Sequence, residues 1–470
     1  MRNQQTAEFI DDAEIMESLA WAKSVCTDQA AIHDVIAKAR EGHGLSHRDA
    51  AALLSMEGEE LWEEVFQLAR ELKERVYGKR IVLFAPLYVS SYCVNNCEYC
   101  GFRHSNDDLV RRRLSMDEVR QQVEILEALG HKRLALEAGE DPVHSDINYI
   151  LECLETIYSV RVDNGSIRRV NVNIAATTEE NYTKLKDAGI GTYILFQETY
   201  HRPTYRRVHP SGPKSNYDWH TTAMDRAMQG GIDDVGVGVL YGLYDYRYET
   251  VAMIMHAEHL ERAQGVGPHT ISVPRLRPAG GMDPERFGYK VSDEDFRKIV
   301  AVIRLSVPYT GMILSTREEA AFRDEVIALG ISQISAGSCT DVGGYTDELN
   351  RRQLASNQFE VGDHRSPLEV VKSLARSGYI PSYCTACYRA GRTGDRFMAL
   401  AKSSEIHNVC QPNAILTFKE YQLDYGDEEL QQLGNELIHT HMEEIPNESV
   451  KAATVARLKR IEDGERDLRF

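Results

Sequence analysis

No apolar run in the 470 residues approaches the ~18 that a membrane-spanning helix needs. The first residues, MRNQQTAEFIDDAEIM, are acidic and lack the apolar stretch of a secretion signal, so a cytoplasmic location and no membrane partner are expected. Positive charge is in deficit. Against 72 Asp and Glu stand 54 Lys and Arg, and the formal net charge of −18 argues against nucleic acid as a partner. Internal repeats and low-complexity tracts are missing, and β-rich text is missing from residues 11–78. There ELWEEVFQLARELKERVYG repeats apolar positions at helical spacing, and Ser46 reads as a helix N-cap. The rest of the composition, 42% hydrophobic and 27% charged, is that of a globular protein large enough for one big domain with appended elements.

Nine cysteines in a reducing compartment point to ligation or catalysis rather than disulfides. Cys26, Cys153 and Cys339 stand alone and read as ordinary thiols; the other six fall into two tight groups.

From residue 80, short β-branched or apolar runs alternate with amphipathic stretches. The runs are 81–89, 133–137, 169–174, 192–196, 235–240, 270–273, 312–314 and 333–335. Eight strands alternating with helices predict a (βα)8 barrel of the TIM type, with a doubly wound open sheet as the alternative. The expected organisation is an N-terminal helical segment (1–79), the barrel (80–380) and a helical C-terminal domain (381–470) that carries the second cysteine group.

Cys93, Cys97 and Cys100 form C-x3-C-x2-C directly after the first strand. Three thiolates this close can ligate three irons of a cubane and leave the fourth open, and loops after barrel strands form the catalytic mouth. Zinc with His104 as fourth ligand stays open. Cys384, Cys387 and Cys410 form C-x2-C-x22-C. A second iron–sulfur cluster suits the odd count, and a zinc knuckle using His407 competes. A redox C-x2-C is disfavoured by the lack of a surrounding βαβ unit.

The first group, with an aromatic residue before its last cysteine, resembles the signature of radical SAM enzymes. The resemblance implies a 4Fe–4S cluster that chelates S-adenosylmethionine (SAM) and reductively cleaves it. Tyr99 would contact the adenine, largely through its backbone. The segment 136–140, LEAGE, resembles the family's GGE motif with Ala for the first Gly, which implies SAM contacts at Ala138, Gly139 and Glu140. Strand-end groups Asn173, Glu198 (to a ribose hydroxyl) and Arg206 (to the SAM carboxylate) complete the expected cofactor set. Asn171 and Gln197 lie beside them, and inter-loop ion pairing is the competing reading.

The two cysteine groups together, with GPHTISVPRLRPA, LSTREEAAFRDE and CTACYRAGRTGDRFM, resemble the radical SAM tyrosine lyases of FeFe-hydrogenase maturation over nearly the whole chain. That resemblance implies cleavage of L-tyrosine by a 5′-deoxyadenosyl radical into p-cresol and dehydroglycine. Carbon monoxide and cyanide are then formed and bound to an iron at the second cluster. It further implies that this extra iron sits on His269, at the opposite mouth of the barrel from the first cluster. It also implies a ferredoxin or flavodoxin as electron donor and the other hydrogenase maturases as partners. The barrel interior would need a passage for dehydroglycine. Arg317, with Ser315 beside it, suits a clamp on the tyrosine carboxylate. Arg275, Arg277 and Arg323 compete, Arg323 reading as a surface or ion-pair residue on a helix. The alternatives are a 2-iminoacetate synthase of thiamine biosynthesis, expected to lack the second triplet, and a non-catalytic two-cluster carrier or scaffold.

Overall fold

The computed structural model describes residues 6–349, 357–403 and 405–470. Its centre is a barrel of parallel strands: β1 (Arg80–Ser90), β2 (Arg133–Ala138), β3 (Arg169–Asn173), β4 (Tyr193–Ile194), β5 (Val235–Gly238), β6 (Thr270–Ser272), β7 (Gly311–Leu314) and β8 (Gln333–Ser335). They pair in sequence order, and β1 closes the ring by pairing with both β2 and β8. All eight expected runs are strands, so the open-sheet alternative is excluded.

The fourth is shorter than its apolar text. Beyond Ile194 the ladder continues on one side only, Leu195 and Gln197 donating to the carbonyls of Gly236 and Gly238. Glu198 then takes a positive φ of 68° and turns the chain out.

The helices between strands start at the caps their sequences offer. Ser115 with Glu118 and Ser366 with Glu369 make capping boxes, and Ser292 caps the helix Asp293–Ser306. In the N-terminal segment Ser46 and Asp49 form the same device. The helix Glu59–Tyr77 buries Trp62, Val65, Leu68, Ala69, Leu72 and Val76, the i, i+3, i+4 face, partly against Asp293–Ser306. Each large apolar side chain so buried contributes about 1.5–3 kcal/mol, which welds this segment to the barrel wall.

A ninth strand, β9 (Ile380–Ser382), crosses the expected boundary at 380/381. It pairs in parallel with the lower end of β1, Arg80 opposite Ile380 and Val82 opposite Ser382. Val82 also pairs with Gln333 of β8, so β9 occupies the edge of β1 that β2 takes higher up. The residues after 382 therefore start beneath the barrel. Helices Ile406–Tyr425, Glu428–Glu443 and Glu448–Glu462 pack there, the first of them against β9. Among the described residues no helix is long and apolar enough to cross a membrane.

Candidate active site

Each mouth of the barrel holds one cysteine group. At the upper mouth the chain leaves β1 into the loop bearing Cys93, Cys97 and Cys100. Arg111 ties this loop down, donating to the carbonyls of Ser91, Phe102 and Arg103. Gly139, after β2, donates to the Ser90 carbonyl at 2.9 Å. A Cβ on Gly139 would fall 3.1 Å from the Tyr92 carbonyl carbon and 3.2 Å from the Cys93 Cβ. Only glycine lets the two loops approach this closely.

A chamber of about 200 Å³ opens inside the mouth. Cys93, Cys97, Cys100, Tyr99, Ala138, Gly139, Glu140, Asn173, Glu198, Ser315 and Arg317 all line it. Asn95 donates to Glu140 at 2.6 Å, and Lys214 pairs with Glu198 at 2.9 Å. The Tyr99 hydroxyl is 2.8 Å from His209 Nε2, so the tip of its side chain is anchored in protein. Burial pushes the thiols of Cys93, Cys97 and Cys100 above their ordinary range, Cys100 to about 11. A metal must supply the charge that ionises them.

Two expected residues lie outside this chamber. Arg275 is bound by Glu318 and pairs with Asp293 at 2.7 Å, its guanidinium over Phe296 and Phe322. Arg206 is exposed on the helix Arg202–Val208, and from this stretch of chain it is Lys214 that reaches the chamber. Of the competitors, Arg277 pairs with the same Glu318, and Arg323 is wholly buried against Asp363. Gln197 is spent on Thr221, and Asn171 accepts from the Thr192 amide. Lys214, in the loop PSGPKS, carries no sequence signal. Glu137 was within reach, as the polar residue inside LEAGE.

At the lower mouth, Cys384, Cys387, Cys410 and His269 line a second chamber of about 90 Å³. β9 delivers Cys384, the short helix Ala386–Arg389 delivers Cys387, and Ile406–Tyr425 delivers Cys410. Arg133 donates to the Cys384 carbonyl at 2.9 Å. A hydrogen bond from Cys387, aided by Arg80, holds the Cys410 thiol below its ordinary range, while the same bond drives Cys387 upward. His269 precedes β6, its Nδ1 3.4 Å from Asp234 and its Nε2 3.4 Å from the Tyr388 hydroxyl. Burial lowers its pKa and keeps it the neutral imidazole that a metal needs. Asp234 and Tyr388 also escaped the sequence reading; Asp234 stands just before β5 as His269 stands just before β6.

Among the described residues no three His, Cys, Asp or Glu side chains are grouped to hold a single metal ion. His104 and His407, which zinc would require, face the carbonyls of Cys93 and Arg75.

Residues 87–257 match the Radical SAM superfamily, and residues 272–380 match the Biotin and Thiamin Synthesis associated domain. A solved structure titled as HydG, a maturase of the [FeFe]-hydrogenase, is 62% identical with a TM-score of 0.95, covering 98% of this chain and 100% of its own. The chain belongs to the radical SAM superfamily, in the HydG family. HydG from Carboxydothermus hydrogenoformans is 40% identical with a TM-score of 0.82, covering 96% of this chain and 99% of its own. The 2-iminoacetate synthase of Escherichia coli K12 is 31% identical over 363 residues, 77% of this chain and 93% of that protein.

As a radical SAM enzyme the protein requires a 4Fe–4S cluster and SAM. The upper chamber fits both: three free thiols share one wall, and the Gly139 cradle and Glu140 stand beside them.

Proposed function

We propose that the protein cleaves L-tyrosine between Cα and Cβ to p-cresol and dehydroglycine (2-iminoacetate), and that carbon monoxide and cyanide formed from the latter are assembled on iron for the FeFe-hydrogenase active site. The observation that carries this reading is the pair of chambers at opposite mouths of one barrel, the lower with three thiols and the neutral His269. The HydG likeness over 98% of the chain supports it, whereas the alignment with 2-iminoacetate synthase spans 77%.

Bound at the upper mouth, cluster and SAM supply an electron and a hydrogen-atom acceptor. The residues of the chain do the rest. Cys93, Cys97 and Cys100 hold the cluster; Ala138, Gly139, Glu140, Asn173, Glu198 and the Tyr99 backbone hold SAM. Arg317, its guanidinium 3.3 Å from the centroid of Phe359, clamps the substrate carboxylate with Ser315 beside it. At the lower mouth Cys384, Cys387 and Cys410 hold a second cluster, and neutral His269 offers one ligand to an extra iron, leaving positions free for small ligands. Reducing equivalents come from a ferredoxin or flavodoxin, and the product passes to the other hydrogenase maturases.

The test is anaerobic incubation of the reconstituted protein with SAM, reductant and tyrosine. Formation of p-cresol followed by infrared bands of iron-bound carbonyl and cyanide is expected. p-Cresol without those bands would leave a 2-iminoacetate synthase. Absence of 5′-deoxyadenosine would leave a carrier or scaffold and overturn the reading.

A further inference from the structure

Sorting the charges of the upper chamber by partner leaves two without one. Glu198 is paired with Lys214, and Glu140 is held by Asn95. Among the described residues Arg317 has no carboxylate within ion-pair distance, and Glu137 has no cation. Glu137 stands near the end of β2, opposite Tyr88 of β1 and Asn173 of β3. Its carboxylate accepts a hydrogen bond from Asn173, shielded from bulk water but open to the chamber. Arg317 reaches the same space from the end of β7. An unpaired cation and an unpaired carboxylate facing one cavity are complementary to a zwitterion, and every α-amino acid is one. A chamber built for a simple carboxylic acid needs only the arginine; a buried acidic group with no cation beside it is matched by the ammonium end of the substrate.

We propose that Glu137 binds the amine of the substrate opposite Arg317 and removes one proton from its ammonium group before the carbon–carbon bond breaks. This rests on the tyrosine-lyase reading above and extends it. An ammonium nitrogen carries three hydrogens and the nitrogen of 2-iminoacetate carries one, so two must leave. One leaves with its electron to the hydrogen-atom acceptor. The other leaves as a proton, R–NH3⁺ and Glu137–COO⁻ becoming R–NH2 and Glu137–COOH, with no change in electron count. The proton goes first, because taking a hydrogen atom from the free amine leaves a neutral aminyl radical, whose unpaired electron pairs with one electron of the breaking Cα–Cβ bond to form the imine. The ammonium would instead have to give a far less accessible radical cation. Glu137 is suited to accept it: burial raises its pKa to about 8, Asn173 and Arg317 opposing and Glu198 adding to the shift. Tyr88, the remaining titratable group on the adjoining strand, stays neutral there, its pKa raised by burial. A base in this range exchanges protons with an ammonium near neutral pH far better than an ordinary carboxylate does.

The inference is tested with the reconstituted holoenzyme and its Glu137→Gln and Glu137→Asp variants. Binding is read first, from the perturbation of the reduced-cluster EPR signal by L-tyrosine and by 3-(4-hydroxyphenyl)propanoate, which has the same carboxylate and phenol and no amine. The wild type is expected to prefer tyrosine by about 10- to 100-fold, and Glu137→Gln to lose that preference. Formation of p-cresol relative to 5′-deoxyadenosine is expected to fall about 100-fold or more in Glu137→Gln, together with the rise of kcat/KM through the pKa of Glu137, and to recover in part in Glu137→Asp. Glu137→Gln that keeps the wild-type preference for tyrosine, or the wild-type pH profile and yield, overturns the proposal. A wild type that cleaves no tyrosine fails at the earlier step, and the two failures are thus told apart.

Discussion

Replacing Gly139 by alanine adds one methyl group and tests how the upper mouth is built. The new carbon would stand 3.1 Å from the Tyr92 carbonyl carbon and 3.2 Å from the Cys93 Cβ, with the Tyr92 oxygen closer still. Non-bonded carbons rest at about 3.5–4.0 Å. Either the end of β2 or the loop carrying Cys93 must therefore retreat by about 0.5–1 Å. Neither moves easily, since Gly139 is bonded to the Ser90 carbonyl and Val94 to that of Glu140. Overpacking of this size costs about 1–3 kcal/mol. A reacting group misplaced by about 1 Å costs about 100-fold in rate. The expected outcome is a folded protein, its Tm lowered by several degrees, forming 5′-deoxyadenosine about 100-fold more slowly. The assay is anaerobic reconstitution, iron and sulfide analysis, and 5′-deoxyadenosine release with SAM and reductant. Gly267→Ala is the control, because a Cβ there meets only the Ala257 carbonyl oxygen at 3.9 Å. Wild-type rate and Tm in Gly139→Ala would refute the close approach of the two loops.

Arg317→Ala is expected to lower p-cresol formation about 10- to 100-fold more than SAM cleavage, because it removes a charge-assisted contact and leaves the cysteine loop alone; equal losses, or none, would remove the clamp role. His269→Ala is expected to spare p-cresol and abolish the infrared bands of iron-bound carbonyl and cyanide; normal bands would dismiss it as an iron ligand. Asp363→Asn is expected to cost about 3–5 kcal/mol in chemical denaturation, since it strands the wholly buried Arg323. The bonds from Arg365 and the charge of Arg323 outweigh desolvation and hold the Asp363 carboxyl below its ordinary range. Its contribution is thus full above the ordinary carboxylate pKa and fades as pH falls through the lower folded value, and a stability curve without that acid limb would contradict the pairing.

What was legible in the chain was what is local. Strands β1 to β8 announce themselves as β-branched or apolar runs, and the cysteine triplets fall within 93–100 and 384–410. β9 was not legible: Ile-Pro-Ser is three residues with a proline in the middle, and it is a strand only because the lower edge of β1 is free to receive it. Arginines near strand ends look alike in sequence. Arg317 and Arg275 follow β7 and β6 at the same interval, and what separates them is Glu318, 43 residues from Arg275, which takes one and leaves the other. Arg206 failed for a plainer reason, as it lies on the outward side of its helix. His269 could be placed at the lower mouth because it precedes its strand, while its neighbours Asp234 and Tyr388 come from distant parts of the chain. The LEAGE text marks Ala138, Gly139 and Glu140 alike; the close approach of the two loops, which only the structure reveals, is at Gly139.

The double duty of β1 makes that strand a ruler. Its upper end releases the chain into the first cysteine loop, and its lower end holds the strand that delivers Cys384. From Val82, level with Ser382, to Ser90 is eight steps, or about 26 Å at the rise of a parallel strand. Loops elsewhere can lengthen or shorten without altering that span, because no loop lies along it. A single residue inserted into β1 would do what no surface insertion can: it would slip one triplet against the other by a pleat and invert which side chains face the barrel interior. The interval between the two cysteine triplets is therefore written in the length of one strand.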